Sequence, residues 1–197
     1  VKRYVFAITG ASGSVFGIRV LGQLVGSTEV HVIISSQSFP IIKHETGIDW
    51  SADTPSGIEK KIRGHFRSKQ ISYHRESDLA SSLSSGSFIT DGMLVVPCSM
   101  KTLSGIACGY ANNLIERAAD VTIKEGRKLL LSPREMPFSA IHLENMLRLA
   151  RLGVTIAPPV PAFYHRPKDL DDIVDFVAGK ILDSFGIAHK LFSRWTD

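Results

Sequence analysis

Two cysteines in 197 residues, Cys98 and Cys108, are too few for a disulfide framework, so a small stapled fold is excluded. No apolar stretch approaches the roughly 18 residues that cross a bilayer. The chain opens on an apolar run of strand length rather than a charged, apolar and small leader, and a cytoplasmic setting is expected. The seven histidines (His31, His44, His65, His74, His142, His165 and His189) show no paired spacing with cysteine or carboxylate on one element. No metal site is therefore expected, and each histidine reads as a surface or internally satisfied side chain. Aromatics make up only 8%, and no basic stripe is interleaved with them, so the net charge of +4 does not read as a nucleic-acid footprint. A local set of cations holding phosphate would account for part of that excess.

What is present is the balance of an ordinary globular protein, 44% hydrophobic and 21% charged, with a length that suits one domain over 1–197. Apolar runs of strand length alternate with helical patterns. Residues 4–9 (YVFAIT), 30–35 (VHVIIS), 93–96, 129–131 and 154–156 read as five strands. Helices are expected over 15–24, about 42–45, 112–125 with Asn112 as cap, 139–151 and 169–185. Residues 47–80 are polar and poorly periodic, with a basic patch over 60–69, and read as loop and short helices. Strands separated by helices imply right-handed crossovers and a doubly wound parallel sheet with helices on both faces.

In such sheets ligands bind beyond the carboxyl ends of the strands. Thr9-Gly10-Ala11-Ser12-Gly13-Ser14 follows the first strand, where free amides and a helix dipole favour phosphate; a tight turn without ligand is the alternative. The glycines do not fit the dinucleotide spacing G-x-G-x-x-G, so a mononucleotide is the better expectation. Ser35 follows the second strand, and Pro97-Cys98-Ser99-Met100-Lys101-Thr102 the third. Their hydroxyls and amides suit a ribityl chain or ring edge, or simply cap helices. Cys98 has no base near it in sequence and reads as a buried structural thiol rather than a nucleophile.

Arg117 and Lys124 lie seven residues apart and so nearly on one helix face. The fourth strand then delivers Pro133-Arg134-Glu135-Met136-Pro137, expected at the same rim; a solvated face or a structural ion pair competes with that reading. Tyr164 and Lys168 have the Tyr-x-x-x-Lys spacing of short-chain dehydrogenases, but Pro167 argues against the helix that motif needs.

Eight motifs in order, T-G-A-S-G, S-S-G-S-F, P-C-S-M-K-T, N-L-I-E-R-A-A-D-V, K-E-G-R-K-L, P-R-E-M-P, H-L-E-N-M and P-P-V-P-A-F-Y-H-R-P, resemble the flavin prenyltransferase (UbiX-type) family. Members were formerly called aromatic acid or 3-octaprenyl-4-hydroxybenzoate decarboxylases. The resemblance is weakest over 47–80. It implies a Rossmann-like fold of flavoprotein type, and transfer of a dimethylallyl group from dimethylallyl phosphate to N5 and C6 of reduced flavin mononucleotide (FMN). The product would serve a separate decarboxylase, in quinone synthesis or aromatic acid breakdown. By the same resemblance Gly10, Ala11, Ser12, Ser35, Cys98, Ser99, Met100, Lys101 and Arg134 bind flavin. Ser85, Arg117, Lys124, Glu135, Tyr164 and Lys180 form the allylic phosphate site, with Glu45 beside it. Lys180 stands where several relatives carry arginine, keeping charge but not bidentate geometry. The resemblance further implies a dodecamer with sites at subunit contacts.

On chemical grounds, Arg117, Lys124 and Lys180 could stabilise the leaving phosphate without metal. Glu135 or the phosphate itself would take the proton lost at C6. Trp195 is read as an aromatic wall or as a packing anchor. Two alternatives remain: an FMN-dependent decarboxylase of cysteine-type substrates, which would carry P-A-S-A-N-T in place of P-C-S-M-K-T, and a non-catalytic flavin carrier.

Overall fold

The computed structural model describes residues 1–194; Trp195, and with it the expected aromatic wall or anchor, lies outside the described residues. Strands β1 (Arg3–Ile8), β2 (Glu29–Ile34), β3 (Ile71–Arg75), β4 (Gly92–Cys98), β5 (Lys128–Pro133) and β6 (Thr155–Ile156) form a parallel sheet in the order β3-β2-β1-β4-β5-β6. Helices α1 (Ser14–Leu24), α2 (Ser38–Thr46), α3 (Pro55–Phe66), α4 (Met100–Cys108), α5 (Leu114–Lys124), α6 (Ala140–Arg151) and α7 (Leu170–Phe185) flank it.

Alternation along β1 sorts the two cores, because successive side chains in a strand point to opposite faces. Tyr4, Phe6 and Ile8 pack with Val20, Leu21 and Leu24 of α1 and with Val177, Ile181 and Phe185 of α7. Val5 and Ala7 face the other way, onto Leu103 of α4, Leu114 and Ala118 of α5, and Leu149 of α6. With both faces covered, the central strands read as continuous apolar runs. Helix α1 lies very close to β4: a Cβ on Gly17 would stand 2.2 Å from the Val96 carbonyl oxygen, so only glycine fits there.

The sheet has six strands rather than the expected five. The additional one, β3, lies in the polar 47–80 segment at the sheet edge, where Ile71 alone is fully buried. The same segment forms α3, started by Pro55 and capped by the Thr54 hydroxyl, which accepts from the Gly57 amide. Residues 100–108, for which no helix was expected, form α4 directly after the third expected strand. The cap of α5 is Asn113, whose side chain accepts from the Glu116 amide; Asn112 instead donates its amide to the Glu116 carboxylate. The chain from 157 to 169 is not helical, so Tyr164 and Lys168 form no dehydrogenase pair. Among the described residues, no helix is long and apolar enough to cross a membrane.

Candidate active site

Strand order reverses between β1 and β4, which places a crevice beyond their carboxyl ends. Thr9 clamps the two ends together: its hydroxyl donates to the Pro97 carbonyl (2.9 Å) and accepts from the Ser99 amide (2.7 Å). The cleft here offers about 110 Å³ of space and opens to solvent. Gly10, Ser35, Ser99 and Lys101 line it, which brings together four of the nine residues expected to hold flavin. Ser35 is fixed by its amide, which donates to the Ile8 carbonyl at 3.0 Å, and by its hydroxyl, paired with that of Ser38 at 2.7 Å.

Two helices end on this cleft. The Ser99 hydroxyl accepts from the Thr102 amide, so the amides of Met100 and Lys101 in the first turn of α4 have no intrahelical acceptor. In α5 the Leu114 amide donates to the Glu76 carbonyl and the Glu116 amide to Asn113, leaving the Ile115 amide in the same position. Asn113 and Ile115 both line the cleft. Two positive helix ends thus face one space, which Lys101 also lines and where the Glu76 carboxylate is taken up by the Ser36 amide at 2.8 Å, an arrangement that suits an anion.

The first turn of α1, expected to cradle phosphate, already holds an anion. The Glu45 carboxylate accepts from the amides of Gly13 (3.1 Å) and Ser14 (2.9 Å) and from the Ser14 hydroxyl (2.6 Å). Burial raises the Glu45 pKa, but hydrogen bonds from Ser12, Ser14 and Gly13 outweigh it and hold the carboxyl below its usual range. The Gly13 and Ser14 amides are therefore already paired, whereas those at the α4 and α5 ends have no acceptor within their helices. Arg134 crosses from β5 to this turn, its Nε donating to the Ser12 carbonyl at 3.3 Å. Ala11 is buried beside it, and Met100 is half-buried. Cys98 is fully buried, and burial pushes its thiol far up, so it is a structural thiol and not a nucleophile.

The residues expected around an allylic phosphate fall into separate groups. Arg117 donates to the Ser84 carbonyl (3.2 Å) and pairs with Asp120 (2.7 Å). Ser85 follows on the same loop, its hydroxyl 2.8 Å from that of Ser87. Lys124 pairs with Glu125 at 2.7 Å, and the Glu125 carboxylate lies against Gly86. Glu135 is exposed beyond β5 and accepts from the Met136 amide. The Tyr164 ring meets Phe176 edge-on at 5.5 Å, and Lys180 is exposed on α7.

Arg117, Lys124 and the 133–137 segment were expected at one rim, and in a single chain Lys124 does not share it with Glu135. A crossover helix runs antiparallel to its strands, so Lys124, four residues before β5, stands at the amino edge of the sheet. Glu135 follows the other end of β5, about 20 Å away at ~3.3 Å per residue. Thr102, from the segment expected to meet the ligand, borders the cleft too, as do Ser36, Gln37, Glu76, Asn113 and Ile115, which were not anticipated. Of these only Asn113, adjacent to the expected cap, had a signal in the sequence.

Residues 1–182 match the flavoprotein family. The flavin prenyltransferase UbiX of Methanocaldococcus jannaschii is 47% identical over 193 residues, 98% of each chain. The crystal structure of a dodecameric FMN-dependent UbiX-like decarboxylase from Escherichia coli O157:H7 superposes with a TM-score of 0.88 at 44% identity, covering 99% of this chain and 100% of that one. That of AnUbiX (PadA1) in complex with FMN and dimethylallyl pyrophosphate gives 0.88 at 42% identity, covering 100% of this chain and 98% of the other. On fold, cleft and sequence together, the chain belongs to the flavoprotein family and, within it, to the UbiX-type flavin prenyltransferases.

Proposed function

We propose that this protein is a flavin prenyltransferase that moves the dimethylallyl group of dimethylallyl phosphate onto N5 and C6 of reduced FMN and releases phosphate. The observation that carries the reading is the convergence of two helix N-termini and Lys101 on one cleft at the switch point, which suits a single phosphate monoester. The first-turn amides of α4 and α5 hold the flavin phosphate, and Ser35 and Ser99 orient the ribityl chain. Arg134, tied to the Ser12 carbonyl, borders the ring. Reduced flavin supplies the electron-rich ring that attacks the allylic carbon. As the carbon–oxygen bond of the donor breaks, its electron pair leaves on phosphate, and Arg117, Lys124 and Lys180 stabilise that charge. The N5 proton leaves to phosphate; the second bond forms when a proton is returned to the prenyl double bond, C6 bonds to the carbon this makes electrophilic, and Glu135 or the released phosphate takes the proton from C6.

The separation of Lys124 and Ser85 from Glu135 and Tyr164 supports a site assembled between copies of the chain. Exposed apolar residues favour such contacts: Met136 is 88% exposed, Ile141 68% and Phe163 66%, with Leu143 and Leu147 on the same helix as Ile141. A homododecamer of single-domain chains in the cytoplasm, passing its product to a separate aromatic acid decarboxylase, completes the reading.

The test is anaerobic incubation with reduced FMN and dimethylallyl phosphate, followed by mass spectrometry of the extracted flavin. A flavin heavier by one dimethylallyl group less one hydrogen is expected, with chelator present or absent. Unchanged flavin with both the phosphate and the pyrophosphate donor would overturn the proposal. Release of carbon dioxide from a cysteine-type substrate would replace it with the decarboxylase reading.

A further inference from the structure

A hydrogen-bonded chain of side chains crosses from β1 to the loop after β3, and the proposed chemistry does not use it. Arg3 pairs with Glu29 Oε2 at 2.9 Å, and Glu29 Oε1 lies 2.9 Å from His31 Nε2. His31 Nδ1 lies 2.9 Å from His74 Nε2, and His74 Nδ1 2.9 Å from the Ser81 hydroxyl. Ser81 also accepts from the Leu83 amide. His31 is buried, with the Phe88 ring edge-on at 5.1 Å.

Both ends of this chain fix its proton order. The Arg3 guanidinium beside Glu29, with help from His31, holds that carboxyl below its usual range against burial, so it only accepts. His31 Nε2 must then carry hydrogen. A neutral His31 presents a bare Nδ1, which requires hydrogen on His74 Nε2 and leaves His74 Nδ1 bare for the Ser81 hydroxyl. A proton arriving at His31 Nδ1 forces the opposite tautomer on His74, whose Nδ1–H then donates to the Ser81 oxygen, so that contact survives with its direction reversed. A second proton sets two N–H groups against each other at 2.9 Å.

Ser81 opens the 81–89 segment, whose carbonyls are held by three arginines: Ser84 by Arg117, Gly86 and Phe88 by Arg127, and Ile89 by Arg3. We infer that His31 and His74 are positioning residues for the donor-phosphate site: until both are charged they hold Ser81, and through this segment set Ser85 and the carbonyl that anchors Arg117. This rests on the proposed function, which makes Arg117 and Ser85 parts of that site.

The charged groups around the pair are Arg3 on β1, Glu29 on β2, Glu59 on α3 and Asp78 on the loop. Burial lowers both imidazoles below the ordinary histidine range; Glu29 partly restores His31, while His74 is lowered further by His31 and partly restored by Asp78 and Glu59. With the folded values depressed, the neutral pair is complete above the unfolded value of about 6.5 and is lost as pH falls through the folded values.

Two readouts on the FMN-loaded protein test this, comparing wild type, His74→Phe and the milder His74→Gln. The first is hydrogen exchange of peptides covering 81–89 at pH 7.5 and over a series of falling pH to the lowest at which FMN is retained, corrected for intrinsic rates. Wild type should lose protection there at the low end of the series, and His74→Phe should lack it throughout, with the rest of the sheet unchanged. The second is steady-state prenyl transfer at pH 7.5. His74→Phe should raise KM for dimethylallyl phosphate roughly tenfold, the loss of about one hydrogen bond, with FMN affinity unchanged, and His74→Gln should recover part of it. Protection of 81–89 that ignores both pH and the substitution overturns the inference, even where prenyl transfer is confirmed. Exchange changes confined to 81–89 in a protein that transfers no prenyl group overturn the proposed function instead. If His74→Phe does not retain FMN, the His74→Gln variant and the wild-type pH comparison decide.

Discussion

The proposed reaction leans most on three side chains, Lys124, Arg117 and Glu135, and each has a separable expected effect. Removing one preorganised donor from a developing oxyanion typically costs about 10²–10³ in kcat. Lys124→Ala and Arg117→Ala should lose prenyl transfer on that scale while retaining FMN, measured by flavin content and turnover on the same samples. Normal turnover would reduce both to partners of Glu125 and Asp120. Glu135→Gln keeps shape but cannot accept a proton, so it should bind flavin and slow the reaction if the carboxylate is the base; an unchanged rate assigns that role to the released phosphate. The cysteines give a simpler check. Cys98 is buried and Cys108 exposed, so a maleimide should label one thiol in the folded protein and two in denaturant. At this scale the cleft residues Gly10, Ser35, Ser99 and Lys101 were legible because small and hydroxylated residues directly follow apolar strands. Glu45 was placed only as a neighbour of the donor site. Its contact with the α1 turn joins residues about 30 apart, and no local pattern encodes that.

Among the elements, the strands buried on both faces announced themselves as apolar runs, whereas β3 did not. Its sequence ISYHR has one fully buried residue and follows a charged helix, so neither hydrophobicity nor length marks it. Helix α4 was hidden for another reason: MKTLSGIAC carries Gly105 and buries only part of its surface, which weakens the helical period. The Asn112–Asn113 ambiguity is the one-residue uncertainty of adjacent capping side chains, resolved by the bond to Glu116. Caps and close approaches also give the clearest stability expectations. In α6 the Ser139 hydroxyl accepts from the His142 amide while the His142 ring accepts from the Ser139 amide. Ser139→Ala should therefore lower stability by about 1 kcal/mol in denaturant titration. Gly17→Ala should do more harm, about 1–3 kcal/mol, because the added methyl must push α1 away from the Val96 carbonyl. A Gly17→Ala protein of native stability would mean that α1 shifts freely on the sheet.

For the whole molecule, the distance between the two sheet edges has a genetic consequence. If each site draws Lys124 from one copy and Glu135 from another, two inactive variants can repair each other. Co-expressed Lys124→Ala and Glu135→Gln chains should form mixed assemblies with more prenyl transfer than either alone, since some sites then receive both native residues. No gain on mixing would place both residues in one copy's site. The Glu45 contact acts at this scale as well. It binds α2 to the turn where dinucleotide-binding relatives of this topology seat a pyrophosphate. A group tethered this closely competes at an effective concentration that reaches the millimolar range or above. An anion reaching for those amides has first to displace the Glu45 carboxylate, which disfavours a pyrophosphate at this turn.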